Sequence, residues 1–375
     1  MKLKNPLILF FVLVFILALI FNEQVHSQAP AEIADDTTYS NRLTILPVLG
    51  STPETSFMFG GVAMQQFKPS GAGMDTRPSN MILSAIYTLN NQILVELNPS
   101  LILPGESWIL DGRMFAYYFP DRYWGIGPET ENNDEVGVEY TMFSIKQMAM
   151  KKINPSVYAG PVIRWYKNYN FTFTDDDGEE FVPVDLTGAD GGKALGVGGA
   201  VRWDKRNSIM TPTENHFIEL SVLLYPELVG NSFGYSQIRF DARKYVDLNL
   251  DGKSVLAFHT RFQSTGGDSP FLDLADLGGR EIMRGYYQGR FRDNHSAQLQ
   301  AEWRRHIKGR FGFALFGGAG QVWPSMEEFT VNNIKWAGGG GLRFNLNPGD
   351  PTNIRLDFAV GKNTSGLYLT FGEAF

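Results

Sequence analysis

Cysteine is absent from the 375 residues. No disulfide can brace this fold and no lipid-modified cysteine can anchor it. Long apolar runs are absent as well once the first 21 residues are passed, and none approaches the ~20 residues a membrane helix needs. Histidine is sparse: His26, His216, His259, His295 and His306 are the full set, and none falls in a His-Glu-x-x-His zinc pattern. There is no Gly-x-Ser-x-Gly nucleophile elbow. The acidic run Asp175-Asp176-Asp177-Gly178-Glu179-Glu180 fails as a calcium loop, because that register would place Phe173 at the first ligand position, so it reads as a solvated loop. Gly196-Val197-Gly198-Gly199 and Gly338 to Gly341 precede no helix, which removes phosphate cradling. No basic–aromatic patch or amphipathic basic helix suits nucleic acid. These absences predict a protein with no catalytic residue, no metal and no cofactor, and not an enzyme.

What is present begins with an export pattern. Lys2 and Lys4 precede the apolar run Leu7 to Phe21, and polar Asn22, Glu23 and Gln24 follow. This predicts a secretory signal peptide over residues 1–27, cleaved after Ser27. Residues 28–40 read as a short periplasmic tail. A segment this short is below the ~40 residues a cysteine-free domain needs to fold alone.

From Asn41 onward no helical period appears. Strand-like runs recur between Gly, Pro, Asn and Asp clusters. They fall near 42–50, 55–67, 78–90, 92–103, 107–119, 136–150, 155–171, 193–205, 216–226, 234–249, 253–265, 296–307, 310–323, 335–346, 353–361 and 366–375, sixteen in all. In Ile354-Arg355-Leu356-Asp357-Phe358-Ala359-Val360 the period is two, so one face is apolar and the other polar. A chain that is 43% apolar with mean hydropathy −0.17, and has no further membrane helix, is either soluble or a closed barrel. The long connections, 120–135, 172–192 and 266–295, all follow odd-numbered strands, while 151–154 and 250–252 are tight and follow even ones. Long loops on one side and short turns on the other is the outer-membrane pattern. The 68–77 connection fits it poorly. Arg202, Asp204, Arg239, Asp241, Arg243, His259, Arg261, Glu302, Arg304, Arg343, Arg355 and Asp357 all fall on the inward face, which predicts a charged, watered lumen. Six of the seven tryptophans lie near strand ends or in loops, as interfacial girdles require.

Leu277-Gly-Gly-Arg-Glu-Ile-Met-Arg-Gly-Tyr286, with Met283-Arg284-Gly285-Tyr286 at its centre, lies in the longest connection. It resembles the inward-folded loop of the BamA-type outer-membrane barrel superfamily, also called the bacterial surface antigen family. Trp203-Asp204-Lys205-Arg206-Asn207 followed by Pro212-Thr213 is similar to that superfamily's Asp-x-Arg…Pro turn. Tyr123-Trp124-Gly125-Ile126-Gly127 and Pro53-Glu54-Thr55 resemble family segments too. Arg355-Leu356-Asp357-Phe358-Ala359 looks like its penultimate strand, and Gly372-Glu373-Ala374-Phe375 like its closing strand with the terminal aromatic that serves as an assembly signal. The resemblance spans about residues 41–375. It implies an all-β, sixteen-stranded antiparallel transmembrane barrel in the bacterial outer membrane, with an extracellular loop folded into the lumen.

The resemblance also assigns sites. Arg284, Gly285 and Tyr286 would form a loop lock with Glu302. The family's second acid falls at Gly318, so the arginine should use another, such as Asp357. Inward Gly318, Gly320, Gly339 and Gly341 would make room for the loop. Pro47, which cannot donate a ladder hydrogen bond, together with Gly366, Gly372 and Phe375, would mark a weak closing seam between the first and last strands. The function implied is insertion or translocation of outer-membrane or surface proteins, acting on unfolded clients within outer-membrane lipid. The family's usual periplasmic polypeptide-transport-associated domains have no counterpart in these residues, which predicts further assembly subunits that present the clients. The alternative is a passive pore or structural barrel.

Overall fold

A computed structural model of the chain describes residues 41–375, apart from 74–75, 250 and 347–352. The predicted leader and tail, residues 1–40, lie outside the described residues. Nineteen strands are present among them. In chain order they are β1 Arg42–Thr52, β2 Ser56–Phe67, β3 Ser79–Thr88, β4 Ile93–Ile102, β5 Trp108–Tyr123, β6 Val136–Asn154, β7 Val157–Thr174, β8 Glu180–Phe181, β9 Gly192–Asp204, β10 Asn215–Tyr225, β11 Tyr235–Asp247, β12 Ser254–Gly267, β13 Ala275–Leu277, β14 Phe291–Asp293, β15 His295–Lys308, β16 Phe311–Trp323, β17 Lys335–Asn345, β18 Asn353–Gly361 and β19 Thr364–Phe371. Each long strand pairs antiparallel with the next in sequence, and β19 returns to β1. Leaving out the two-residue β8, which lies on the end of β7, and the short β13–β14 hairpin, sixteen strands close the barrel. Among the described residues no helix is long and apolar enough to cross a membrane.

Closure follows from the alternation. Residues directly opposite in an antiparallel ladder share a face. Leu299, Leu315, Leu342, Phe358 and Leu367 all lie on the outer face and are all at least half exposed. Glu302, Arg304, Arg343, Arg355 and Asp357 lie on the inner face and are buried. Water could not tolerate so continuous an apolar exterior on a monomer, but a bilayer requires it.

Four strand ends lie three or more residues from the expected ones: β6 runs on to Asn154, through the 151–154 segment expected to be a tight turn, β7 runs on to Thr174, and the ends of β5 and β19 differ as well. β5 runs on to Tyr123 through Pro120, which stands opposite Glu139 and whose carbonyl accepts from the Gln92 side chain at 2.8 Å. The expected strand ended at 119 with a long connection from 120, yet the ladder carries past the proline to Tyr123. The last strand stops at Phe371 instead of continuing to Phe375. Gly372 adopts φ +76°, a left-handed conformation open to glycine, and the chain turns into the lumen. The tryptophans also divide. Trp203 and Trp336 are exposed at strand ends, as a girdle requires, whereas Trp124 and Trp323 are buried among extracellular loop residues.

The connection between β12 and β15, residues 268–294, enters the barrel. Its β13–β14 hairpin carries Leu277, Ile282, Met283, Tyr286 and Phe291 into a buried cluster with Val322 of β16.

Candidate functional site

The inner wall from β15 to β19 is built in rows. Glu302 stands opposite Phe316, Phe316 opposite Gly339, Gly339 opposite Ala359, and Ala359 opposite Gly366. One step toward the periplasmic end, Arg304, Ala314, Gly341, Asp357 and Tyr368 align in the same way. Small residues between the charged ones leave a trough, and Arg284 lies in it. Its guanidinium is fully buried and donates to Glu302 through one Nη and to Asp357 through the other. The guanidinium carbon rests 3.5 Å from the centre of the Phe316 ring. A planar fork whose two Nη groups diverge suits two carboxylates on different strands, a geometry that a compact ammonium does not reproduce.

The backbone around Arg284 is shaped to deliver it. Met283 has φ 54° and Gly285 φ 110°. A Cβ on Gly285 would lie 2.8 Å from the Val360 carbonyl carbon, so only glycine lets the loop approach β18 this closely. Gly285 N–H donates to the Tyr368 hydroxyl at 2.9 Å, and Thr364 Oγ1 donates to the Gly285 carbonyl at 3.0 Å. The Tyr286 hydroxyl donates to the Trp336 carbonyl at 3.2 Å and accepts from Lys362 N–H at 3.0 Å. The absence of an acid at position 318 also has a steric reason. A Cβ there would come within 3.1 Å of Met283 Sδ, so the loop occupies that space and the second acid stands on β18.

Around Arg284 the charges interlace. Arg304 Nε donates to Glu302 at 2.7 Å, Arg343 binds Asp357, and Arg355 Nε lies 3.4 Å from Asp357. Glu373, from the segment beyond β19, accepts from Arg343 Nε at 2.9 Å and lies 3.6 Å from Arg304 Nε. The sequence does not pair Glu373 and Arg343 with Arg284 and its acids, because nothing local links residues so far apart.

A second anchor was also missed. Arg164 of β7 makes a two-pronged pair with Asp273 at the start of the inward loop, at 2.7 and 2.9 Å. The Tyr235 hydroxyl donates to the same carboxylate, and Arg164 also donates to the Tyr225 hydroxyl at 3.1 Å. Tyr225 and Tyr235 stack at 4.1 Å. Arg164 is legible as inward-facing from strand period alone, but its partner is not. Nearer the surface, Gln288 N–H donates to Glu54 at 2.7 Å and Tyr287 donates to Asp121 at 2.6 Å. Burial raises the Glu54 carboxyl above its ordinary value, against lowering contacts from Thr52 and Gln288.

The closing-seam residues separate in space. β1 and β19 share one ladder pair, Ser51 opposite Leu369. Pro47 lies below it on β1, opposite Gly61 of β2. Gly366 lies above it, where a Cβ would meet Pro53 Cγ at 2.8 Å. Phe375 is not on the seam at all. It is buried inside, 4.9 Å from the His259 ring and beneath Arg304, in a cluster with Tyr245, Val255, Ala257 and Ala374. A cavity of about 280 Å³ opens beside the seam, lined by Val48, Leu49, Arg280, Leu369, Phe371 and others.

An apolar exterior, a charged lumen and a loop folded inside define an outer-membrane β-barrel. The model of the Omp85 superfamily domain matches residues 111–375. The fold is similar to the solved structure of BamA from Haemophilus ducreyi lacking POTRA domains 1–3, with TM-score 0.60 at 12% identity over 89% of this chain and 70% of that one. It is also similar to CdiB from Escherichia coli, with TM-score 0.56 at 9% identity over 87% and 62%, and to CdiB from Acinetobacter baumannii, with TM-score 0.51 at 11% identity over 88% and 59%. The chain thus spans less than two thirds of either CdiB. No curated protein matches by sequence. The chain belongs to the Omp85 superfamily.

Proposed function

We propose that this barrel inserts proteins into the outer membrane at its seam, with the inward loop holding the seam wall in shape. The observation that carries the reading is the single ladder pair between β1 and β19, where neighbouring β1 and β2 share eleven. Below Ser51, the β1 edge has no described partner on the β19 side. An unpaired edge offers backbone donors and acceptors to an incoming strand. The residues of β1 suit this use. Leu43, Ile45 and Leu49 face outward and Leu46 inward, and all four are more than half exposed. A strand that lined a water-filled pore would not carry leucine on its lumen face.

Arg284 with Glu302 and Asp357 is the lock that keeps the loop on β15 and β18, next to the moving wall. Unfolded outer-membrane or surface proteins are the clients. Free edges select poorly among clients, so a further subunit presents them. A passive pore is the less favoured reading, because the inward loop and its buried charges occupy the lumen.

The test is a disulfide across the one paired position, Ser51→Cys with Leu369→Cys, in a chain that has no other cysteine. The barrel is placed in liposomes and offered an unfolded test barrel, with and without proteins recovered by gentle extraction. Insertion is expected to stop on oxidation and return on reduction, with the barrel folded throughout. Insertion unchanged after complete crosslinking would remove the seam from the mechanism. A barrel that inserts nothing with any recovered partner, yet conducts ions, would favour the passive pore.

A further inference from the structure

From the geometry we infer that Glu373 is a latch: its ion pairs hold residues 372–375 inside the lumen and keep the lower half of the seam open. The inference rests on the seam reading above and concerns what sets the seam's state.

Register fixes the alternative conformation. With Ser51 opposite Leu369, each further residue of an extended β19 would face the preceding residue of β1. Gly372 would then stand opposite Val48, Glu373 opposite Pro47, Ala374 opposite Leu46 and Phe375 opposite Ile45. That extension would close the edge that is now unpaired. Only one of the two placements can exist at a time, since the same four residues serve both.

Side-chain chemistry decides between them. Leu367, Leu369 and Phe371 occupy the outward positions of β19. An extended strand would make Glu373 the next residue on that lipid-facing side, where a carboxylate has no buried cation and is costly. Turned inward, the same carboxylate accepts from Arg343 Nε at 2.9 Å and from the Asn353 amide at 2.6 Å, with Arg304 Nε at 3.6 Å. The backbone is held as well. Gly372 N–H donates to the Asn353 carbonyl at 2.8 Å, and Glu373 N–H donates to the Met210 carbonyl at 3.2 Å. Met210 belongs to the connection between β9 and β10, so this turn reaches the inturned segment. Arg304 Nη2 donates to the Phe375 carbonyl at 2.9 Å. Arg304 and Arg343 also serve Glu302 and Asp357, the two acids that receive Arg284. The latch and the loop lock therefore draw on the same two arginines.

Two cysteine pairs read the two placements. Leu46→Cys with Ala374→Cys reports the seam-paired form. Ala257→Cys with Ala374→Cys reports the inturned form, because those alanines share one buried cluster. Both are measured in detergent without client. With Glu373 intact, the Ala257 pair crosslinks and the Leu46 pair does not. Glu373→Gln removes the charge and should move the ratio toward the Leu46 pair by about tenfold, the scale of one charge-assisted hydrogen bond. Asn353→Ala removes one donor to the carboxylate and should move it the same way by less. Heat-modifiable migration on a gel establishes that each variant is folded, and if Glu373→Gln does not fold, Asn353→Ala decides. A ratio unmoved by a folded variant, or crosslinking at Leu46 in the unaltered chain, overturns the latch. The two proposals fail separately. A shifted ratio with insertion unchanged keeps the latch and removes the seam from insertion. An unmoved ratio with insertion still blocked by the seam disulfide does the reverse.

Discussion

β5 and β6 face each other through sixteen consecutive ladder pairs, from Trp108 opposite Lys151 to Tyr123 opposite Val136, whereas β1 and β19 meet at Ser51 and Leu369 alone. The two regions belong to one barrel and obey one alternation. What separates them is where their stabilisation comes from. The β5–β6 wall is held by its own ladder, which runs unbroken along sixteen residue pairs. The seam side is held from within, by a loop and a set of buried ions. A ladder stabilises locally and uniformly, while an ionic cluster concentrates the same duty in a few side chains. The seam side is therefore the part that single substitutions can release, and the β5–β6 wall is the part they cannot.

The sharpest break in that comparison is Arg284→Ala. It would leave Glu302 and Asp357 buried with one cation fewer, at a cost of about 3 kcal/mol. We expect the inward loop to become protease-sensitive around Ile282 to Tyr286 and ion conductance to rise, while amide exchange in β5 and β6 stays slow. Arg284→Lys should recover little of the loss, since a compact ammonium on a shorter stem lacks the divergent planar fork that reaches Glu302 with one Nη and Asp357 with the other. Full protease resistance in the alanine variant would show that the loop is held by its other contacts.

Asp273→Asn should come next. Arg164 would keep hydrogen-bonding partners but lose its countercharge in a nearly buried site, and about 2 kcal/mol is expected. The effect should appear as a lower thermal midpoint and as cleavage near Asp268 to Leu277. Cleavage at Arg284 should not follow, because the two anchors lie on different walls, β7 and β11 for one, β15 and β18 for the other. If both cleavage sites open together, the loop is one cooperative unit and the division into two anchors fails.

The sequence exposes the ladder far better than the ions. Period-two alternation locates sixteen strands and sorts inner from outer faces, because it is a property of adjacent residues. The inward position of Glu302, Asp357, Arg343 and Arg355 follows from the same rule. Which of them meet does not follow, since that depends on how far the loop penetrates and on the space Met283 takes over Gly318. The inturned end is different, because it carries a local signal in the sequence. Glu373 interrupts a lipid-facing row of Leu367, Leu369 and Phe371, and Gly372 before it supplies a residue able to turn. A charged residue at the next outward position is a reason to end the strand, and resemblance to a family closing strand hid it. Arg164 and Asp273 carried no such warning, being ordinary members of a charged inner face and a loop.

The smallest effect is expected away from the seam, at Arg77 and Glu106. The two side chains pair at 2.7 Å where the turn between β2 and β3 meets the turn between β4 and β5. Burial pushes the Glu106 carboxyl up, but hydrogen bonds from Arg77 and Tyr158, with the Arg77 charge, hold it down to about 2, well below its ordinary 4.5. A carboxyl depressed in the folded state stabilises that state fully above its unfolded value and loses the contribution as pH falls through its folded one. The window is therefore from about 4.5 down to about 2. Arg77 is almost half exposed, so water screens the pair and its value should stay below about 1 kcal/mol at neutral pH. Glu106→Gln should lower the thermal midpoint slightly at pH 7 and barely at all near pH 2, and should leave the seam crosslinks unchanged. A loss as large as that of Asp273→Asn, or a seam that responds to it, would mean that the barrel transmits strain around its whole circumference and that the β5–β6 wall is not the independent frame its ladder describes.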